Sequence, residues 1–416
     1  MVLDEYDDKL YNKILAYKLF GVTFFAFIYQ FYYEGGDTYG FFSWTKHLVS
    51  YFFADPNHAI KFIFTSDSFE FAKFKYSNFG SNYSYLLKEG TRELFFVKIM
   101  FWVNILGFNS YLAISYILTL GVFIANWLLY KTFALRFPEA KHALVWSVML
   151  IPSVAFWGGG ILKDTIAFIG ICFVVYCFDQ IFMQKKKRIR NIIFFAIFTY
   201  LIIAIRGFVV LSLLPALVVW LFSTYKENIS GGFIKFISTP FLILISMGIV
   251  VVLLQAVGGE LDRFSINELD ATIKDFQGWH EVASADGSGY SLHTSGSGPL
   301  QMLAALPAAV NVTYFRPYIW EVSGAVVLLS ALEALVLFLY FLKVFLFEGK
   351  IFGFFKVIIN DPLVQLCVVF SILYGFSVGF TSYNFGALSR YKIPAMPFFA
   401  SMLVLISYRL NNPKTD

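Results

Sequence analysis

The sequence predicts an all-α, polytopic integral membrane protein, and three observations lead there. Of 416 residues, 58% are hydrophobic and only 14% charged, against about 25% charged in ordinary soluble domains. Apolar runs recur at about 17–25 residues, the length a helix needs to cross a bilayer. Lys and Arg gather in the short loops between alternate runs, the bias that marks cytoplasmic loops. The chain reads as one membrane domain, 1–416, with about ten transmembrane helices.

Sidedness rests on residues 151–190. An apolar run ends in Trp157 and three glycines, Lys163 and Asp164 follow, and a second run reaches Met183 before Lys185, Lys186, Lys187, Arg188 and Arg190. This is a membrane hairpin with the basic block inside and the charged turn outside. The first span, 14–33, is read as retained, because the acidic start MVLDEYDDKLYNK lacks a small-residue cleavage site. It leads to a long outer loop, 34–109, whose mixtures of apolar residues and Lys predict interfacial helices. Leu94–Gly107 is the uncertain stretch, since a full crossing there would invert the amino terminus.

Further spans are predicted at 110–130, 143–157, 165–183, 191–205, 208–223, 236–257, 322–347, 363–380 and 393–408. Between them run inner loops carrying Lys131, Arg136 and Lys141, then Lys226 and Lys235, then Lys350 and Lys356. A second outer loop, 258–320, is polar to residue 298 and apolar after it, with a tether as the first reading and a lid as the second. Both termini are expected in the cytoplasm. The net charge of +5 is small for this length and points to no nucleic-acid partner. Cys172, Cys177 and Cys367 lie in apolar runs and read as buried helix residues.

The unusual polar residues fall at outer ends of spans: Asp37 with Glu34 nearby, Lys163 and Asp164, Arg206, Arg316 and Glu321, and Arg390. Charge at membrane depth costs about 2.5–3.5 kcal/mol on insertion scales, so it marks a function or a partner. Taken singly, each residue is better explained as structural or as an interface anchor; five such clusters on one face point to an outward polar site. That set suits transfer from a phosphate-bearing lipid. A carboxylate takes a proton from an acceptor hydroxyl, and arginines clamp a phosphate leaving group. Trp157, like Tyr39, Trp44 and Trp320, offers a ring for a sugar face or a headgroup, or belongs to an ordinary interfacial belt. There is no phosphate-binding glycine loop, metal-ligand His pair or serine elbow. His280 and His293 read as solvated surface rather than metal ligands.

EGGDTYGFF (34–42), after the first span, and SRYKIPAMPFF (389–399) resemble motifs of the polytopic GT-C-type glycosyltransferases, which use polyprenyl-phosphate sugar donors. FWGGGILKD and FRPYIWE are similar to bacterial envelope proteins near these transferases and near surface-polysaccharide polymerases. The resemblance implies a GT-C-like layout in a bacterial cytoplasmic (inner) membrane. It makes Asp37 the catalytic base, with Glu34 second, and the other polar residues substrate-binding. The chain departs from the group in having one clear acidic residue there, Asp37, rather than an adjacent pair. The partners implied are a polyprenyl-linked sugar, a glycan acceptor and membrane lipid. No cofactor is certain, and a divalent metal stays open. Two further readings stand beside the transferase. One is an O-antigen or exopolysaccharide polymerase relying on Arg206, Arg316 and Arg390. The other is a non-enzymatic lipid-linked-glycan transporter or envelope-complex subunit, which would bury polar residues near mid-membrane.

Overall fold

The computed structural model describes residues 5–78, 91–186, 188–225, 248, 289–290, 292 and 299–412. The expected span 236–257 apart from residue 248, with Lys187, Lys226, Lys235, His280, His293 and nearly all of 258–298, lies outside the described residues. Among the described residues the chain is helical throughout, with one isolated bridge between Gly289 and Asn384. It is a polytopic helical membrane protein. Among the described residues seven helices are long and apolar enough to cross a bilayer, and eight if a bent pair counts as one span.

Helix α1 (Glu5–Phe31) crosses first and stops at a tight turn. Glu34, Gly35 and Gly36 there have φ of 49°, 150° and 95°, the left-handed region that glycine adopts without strain. The turn starts α2 (Asp37–Ala54), followed by α3 (Pro56–Phe64), α4 (Ser68–Asn78) and α5 (Arg92–Leu106). These four build a core of their own from Phe41, Trp44, Leu48, Phe62, Phe96 and Phe101. That core also takes in Ile114, Ile161 and Ile205 from the ends of other helices, so the layer is stacked on the bundle. Asp55 caps α3 through the amide of His58 and pairs with Lys73, while His58 Nδ1 lies 2.8 Å from Glu70. Helix α5 covers the uncertain Leu94–Gly107 stretch. Its 15 residues fall short of the about 20 that a crossing needs.

The bundle proper continues with α6 (Tyr111–Ala134), α7 (Lys141–Met149), α8 (Pro152–Trp157) and α9 (Lys163–Phe178), which is prolonged to Met183 by a wider π turn. Then come α10 (Arg188–Arg206) and α11 (Phe208–Tyr225). After the undescribed segment follow α12 (Pro299–Phe315), α13 (Ala325–Leu342, prolonged to Glu348), α14 (Lys350–Asn360) and α15 (Pro362–Thr381). The last elements are α16 (Phe385–Tyr391) and α17 (Met396–Asn411). The apolar 299–320 stretch, expected as part of an outer loop, forms α12 packed along α15. Thr313 donates to the Gly375 carbonyl at 2.6 Å, and the Tyr314 ring stacks on Phe399 at 4.0 Å.

One expected span is broken and another is bent at its start, for the same backbone reason. The run 143–157 was expected to be one helix but splits into α7 and α8. Pro152 has no N–H, and the residue before a proline is driven extended, as Ile151 is at φ −62°, ψ 123°. The freed polar groups find side chains on neighbouring helices. Asn126 Nδ2 donates to the Val148 carbonyl at 2.8 Å, and the Tyr17 hydroxyl to that of Leu150 at 3.2 Å. The Ser153 N–H donates to Glu333 Oε2 at 2.7 Å. The run 393–408 likewise belongs to a pair, α16 and α17, bent by 68° where Pro394 and Pro397 interrupt the ladder.

Paired charges sort to two ends of the bundle. The sixteen residues of α9 separate Asp164 from the Asp179 turn by roughly 22 Å at 1.5 Å per residue. At the Asp179 end, Arg136 pairs with Asp179 and lies over the Trp220 ring, and Arg409 pairs with Asp361 at 3.0 Å over Phe137. The Asp164 end carries the cluster described next. The three cysteines are free and buried, as the sequence implied.

Candidate functional site

Four charged side chains, from residues scattered between 37 and 390, meet at the Asp164 end. Asp164 stands in the first turn of α9, in the glycine-rich turn that separates it from α8. That turn is tight because it must be: a Cβ on Gly159 would fall 2.1 Å from Thr119 Oγ1 and 2.5 Å from Val22 Cγ2. Gly159 and Gly160 therefore serve close packing, Gly159 against α1 and α6 and Gly160 against Phe25 of α1. Asp164 is held 2.8 Å from Arg206 Nη2, at the last residue of α10. Arg390, on α16, points Nε to Asp164 at 3.4 Å and donates from Nη1 to Asp37 at 2.9 Å. Tyr391 lies between the two arginines. Their guanidinium carbons sit 4.5 Å and 4.9 Å from its ring, and its hydroxyl accepts from Arg390 at 3.1 Å.

Burial divides this set. The side chains of Asp164, Arg206 and Arg390 are 6%, 15% and 12% exposed, whereas Asp37 is 61% exposed. Two guanidiniums balance two carboxylates, three of the four held in a dry setting and one at the surface. Charge-assisted pairs of this kind are strong and geometrically definite.

Lys163 flanks the cluster, tied to Glu93 on α5 and lying over the Phe41 ring. Burial works against ionisation of the Glu93 carboxyl, but the Lys163 ammonium outweighs it and holds the pKa below the usual carboxylate range. A depressed folded pKa gives stability that is complete above the unfolded value, about 4.3 for Glu, and is lost as pH falls through the folded value. Thermal unfolding of detergent-purified protein is therefore expected to weaken below about pH 4, and Glu93→Gln to show less of that acid sensitivity. An identical acid profile in both proteins would remove this link.

Other sequence-predicted residues lie apart. Arg316 pairs with Glu321, and its guanidinium rests over the rings of Tyr290, Tyr318 and Phe385. Phe385 opens the helix that bears Arg390, yet no ion pair among the described residues joins Arg316 to Asp164 or Asp37. Glu34 is exposed on the turn before α2. Trp157 is 4% exposed, its ring in T-shaped contact with those of Phe25, Tyr29 and Phe156.

Comparison with protein-family models, with curated proteins and with solved structures finds no match. The site must be read from its own chemistry.

Sequence reasoning missed several residues that the fold places in or beneath the cluster. Glu93, Tyr391 and Tyr29 carry no distinctive spacing. Lys18 and Lys392 are 1% and 0% exposed, and their ammonium groups have no hydrogen-bond partner. With Glu333 they form a set of ionisable groups inside the bundle. A signal existed for each: a Lys in the middle of an apolar run, and a Lys beside the bend at Pro394. Among the described residues, no group of three or more His, Cys, Asp or Glu could hold a metal ion.

Proposed function

We propose that the protein transfers a sugar from a polyprenyl-phosphate-linked donor to a glycan acceptor, at the cluster of Asp37, Arg390, Asp164 and Arg206. The observation that carries this reading is the contact between exposed Asp37 and buried Arg390. Asp164 and the bundle position the two arginines before any ligand arrives, which lowers the entropic cost of gripping an anion. An incoming phosphate competes with Asp37 for Arg390, since both offer paired oxygens to one guanidinium. Displaced, the Asp37 carboxylate is free at the surface to take the acceptor hydroxyl proton as the new glycosidic bond forms. The arginines stabilise the charge that develops on the leaving phosphate oxygen. Lys163, tethered by Glu93, adds positive potential beside them. In this reading the glycan product disappears in Asp37→Asn while membrane insertion is retained, and full transfer by that variant refutes Asp37 as base. The polymerase reading uses the same two arginines, and single unpolymerised repeat units in Arg206→Ala would favour it.

One observation supports a transport reading. Lys18, Lys392 and Glu333 are ionisable groups within the bundle, and one broken and one bent span lie beside them, which are features of transporters. That reading expects Glu333→Gln to stop export of a lipid-linked glycan while Asp37→Asn leaves it unchanged.

A further inference from the structure

Helix α14 begins and ends on one side of the bundle, the Asp179 end. Gly349, just before its start, packs on Leu410, the neighbour of Arg409, and Asp361, just after its end, pairs with Arg409. Its eleven residues reach about 16 Å at 1.5 Å each, half of a bilayer's about 30 Å core. Side-chain bonds hold the helix at that level. Gln365 Nε2 donates to the Ile359 carbonyl at 2.7 Å, and Gln365 Oε1 accepts from Ser223 of α11. Two residues on, the Tyr225 hydroxyl donates to the Phe182 carbonyl at 2.7 Å. The exposed Lys185, Lys186, Arg188 and Arg190 follow shortly after Phe182, so α14 is tied to the part of the chain that carries the basic block.

The helix presents a fixed face. A Cβ on Gly349 would fall 2.4 Å from Leu410 Cδ1, and one on Gly353 3.0 Å from Leu410 Cδ2. These two positions, one turn apart, seat α14 on α17, with buried Phe354 beneath. Turned away from the bundle are Ile351, Phe352, Phe355 and Ile359, which are 47%, 90%, 50% and 54% exposed. So much apolar surface on three turns marks an interaction face. Lys356 stands exposed at its border, one turn after Phe352. The stretch 350–360 holds two lysines and no carboxylate, and the acids on either side are neutralised, Glu348 by Lys343 at 2.9 Å and Asp361 by Arg409 at 3.0 Å.

We infer that α14 lies in the headgroup layer of the membrane on the side of the basic loops and binds anionic phospholipid there. Its apolar face enters the acyl boundary and Lys356 meets the lipid's charge. A short helix with an apolar face and a lysine border is built to lie in an interface. Positive charge with no free carboxylate beside it favours an acidic headgroup over a zwitterionic one. This surface is at the opposite end of the bundle from Asp164, and the inference holds whatever reaction the outer cluster performs.

The test uses the purified full chain in vesicles of phosphatidylcholine and phosphatidylglycerol, carrying Phe352→Cys labelled with a thiol-reactive fluorophore. Cys172, Cys177 and Cys367 are buried, which directs the label to position 352. Quenching is read with iodide in the water and with either lipid brominated near the head end of its chains. Both brominated lipids are expected to quench and iodide hardly at all, with phosphatidylglycerol preferred. Adding Lys356→Gln is expected to lower that preference about fivefold, the worth of one basic residue at an anionic surface. Strong quenching by iodide would place the face in water, and protection from every quencher would mean that protein covers it; either result overturns the inference. An equal response to the two lipids, or a preference that Lys356→Gln leaves unchanged, overturns it as well.

Discussion

Replacing Asp164 by alanine is expected to destabilise the folded protein by about 3–5 kcal/mol, the cost of removing one partner from a buried ionic arrangement. Arg206 would lose its only carboxylate partner among the described residues, and Arg390 would keep Asp37 alone. Both guanidiniums are largely buried, so water replaces the lost carboxylate poorly. The loss is chiefly the uncompensated charge, and a rearranged partner is scarce: Tyr391 is neutral and Glu93 is committed to Lys163. Asp37→Ala serves as the comparison. Its carboxylate is mostly exposed, and exposed pairs contribute only about 0–1 kcal/mol. Thermal unfolding in one detergent, with all variants at equal concentration, checks both. Equal midpoints for Asp164→Ala and the parent would mean that the cluster is wetter and looser than its geometry implies.

On the proposed transferase reading, Arg390→Lys lowers glycan transfer by about 10²–10³-fold, the size seen when one positioned donor to a developing negative charge is lost. The substitution keeps the positive charge beside Asp164, so stability is affected less than activity. What it removes is the planar fork. Arg390 donates from Nη1 to Asp37 and from Nη2 to the Tyr391 hydroxyl while its guanidinium lies 3.4 Å from Asp164, and a lysine ammonium cannot reproduce that planar fork. The measurement is transfer from lipid-linked donor in membranes at matched expression. Parent-like rates in Arg390→Lys would show that charge alone is required there, and would weaken the case for a bidentate phosphate grip.

The crossing helices were legible in the sequence because the bilayer imposes a length and an apolar character that composition reports directly. The breaks were less so. Pro152 and Pro394 stood in view, but a proline inside an apolar run is tolerated whenever neighbours satisfy the freed backbone. Whether Asn126, Tyr17 and Glu333 would do that is a tertiary matter. The layer α2–α5 was anticipated as interfacial helices, and its packing onto Ile161 and Ile205 was not, because α2–α5 read only as scattered aromatics and charges. The run 299–315 was misplaced for a related reason. At 17 residues it sits at the lower limit for a crossing, so its apolar character gave no sign that it lies against α15.

Among the site residues, Asp37, Lys163, Asp164, Arg206 and Arg390 were marked by one rule, charge at the end of an apolar run. The rule cannot separate a ligand clamp from a local pair. Arg316 and Glu321, five residues apart, satisfied the same rule and found each other.

What the amino-acid order determined by itself is the alternation of spans and the sorting of charged residues to their ends, since both follow from the cost of putting charge and open backbone into hydrocarbon. Only the tertiary structure decided which ends lie side by side. It brought Asp37 to Arg390 across 353 positions and packed Trp157 against Phe25, Tyr29 and Phe156. It also left the ammonium groups of Lys18 and Lys392 inside the bundle. Such proximities depend on how side chains interlock between helices, a property of the whole packing that no local stretch of sequence encodes.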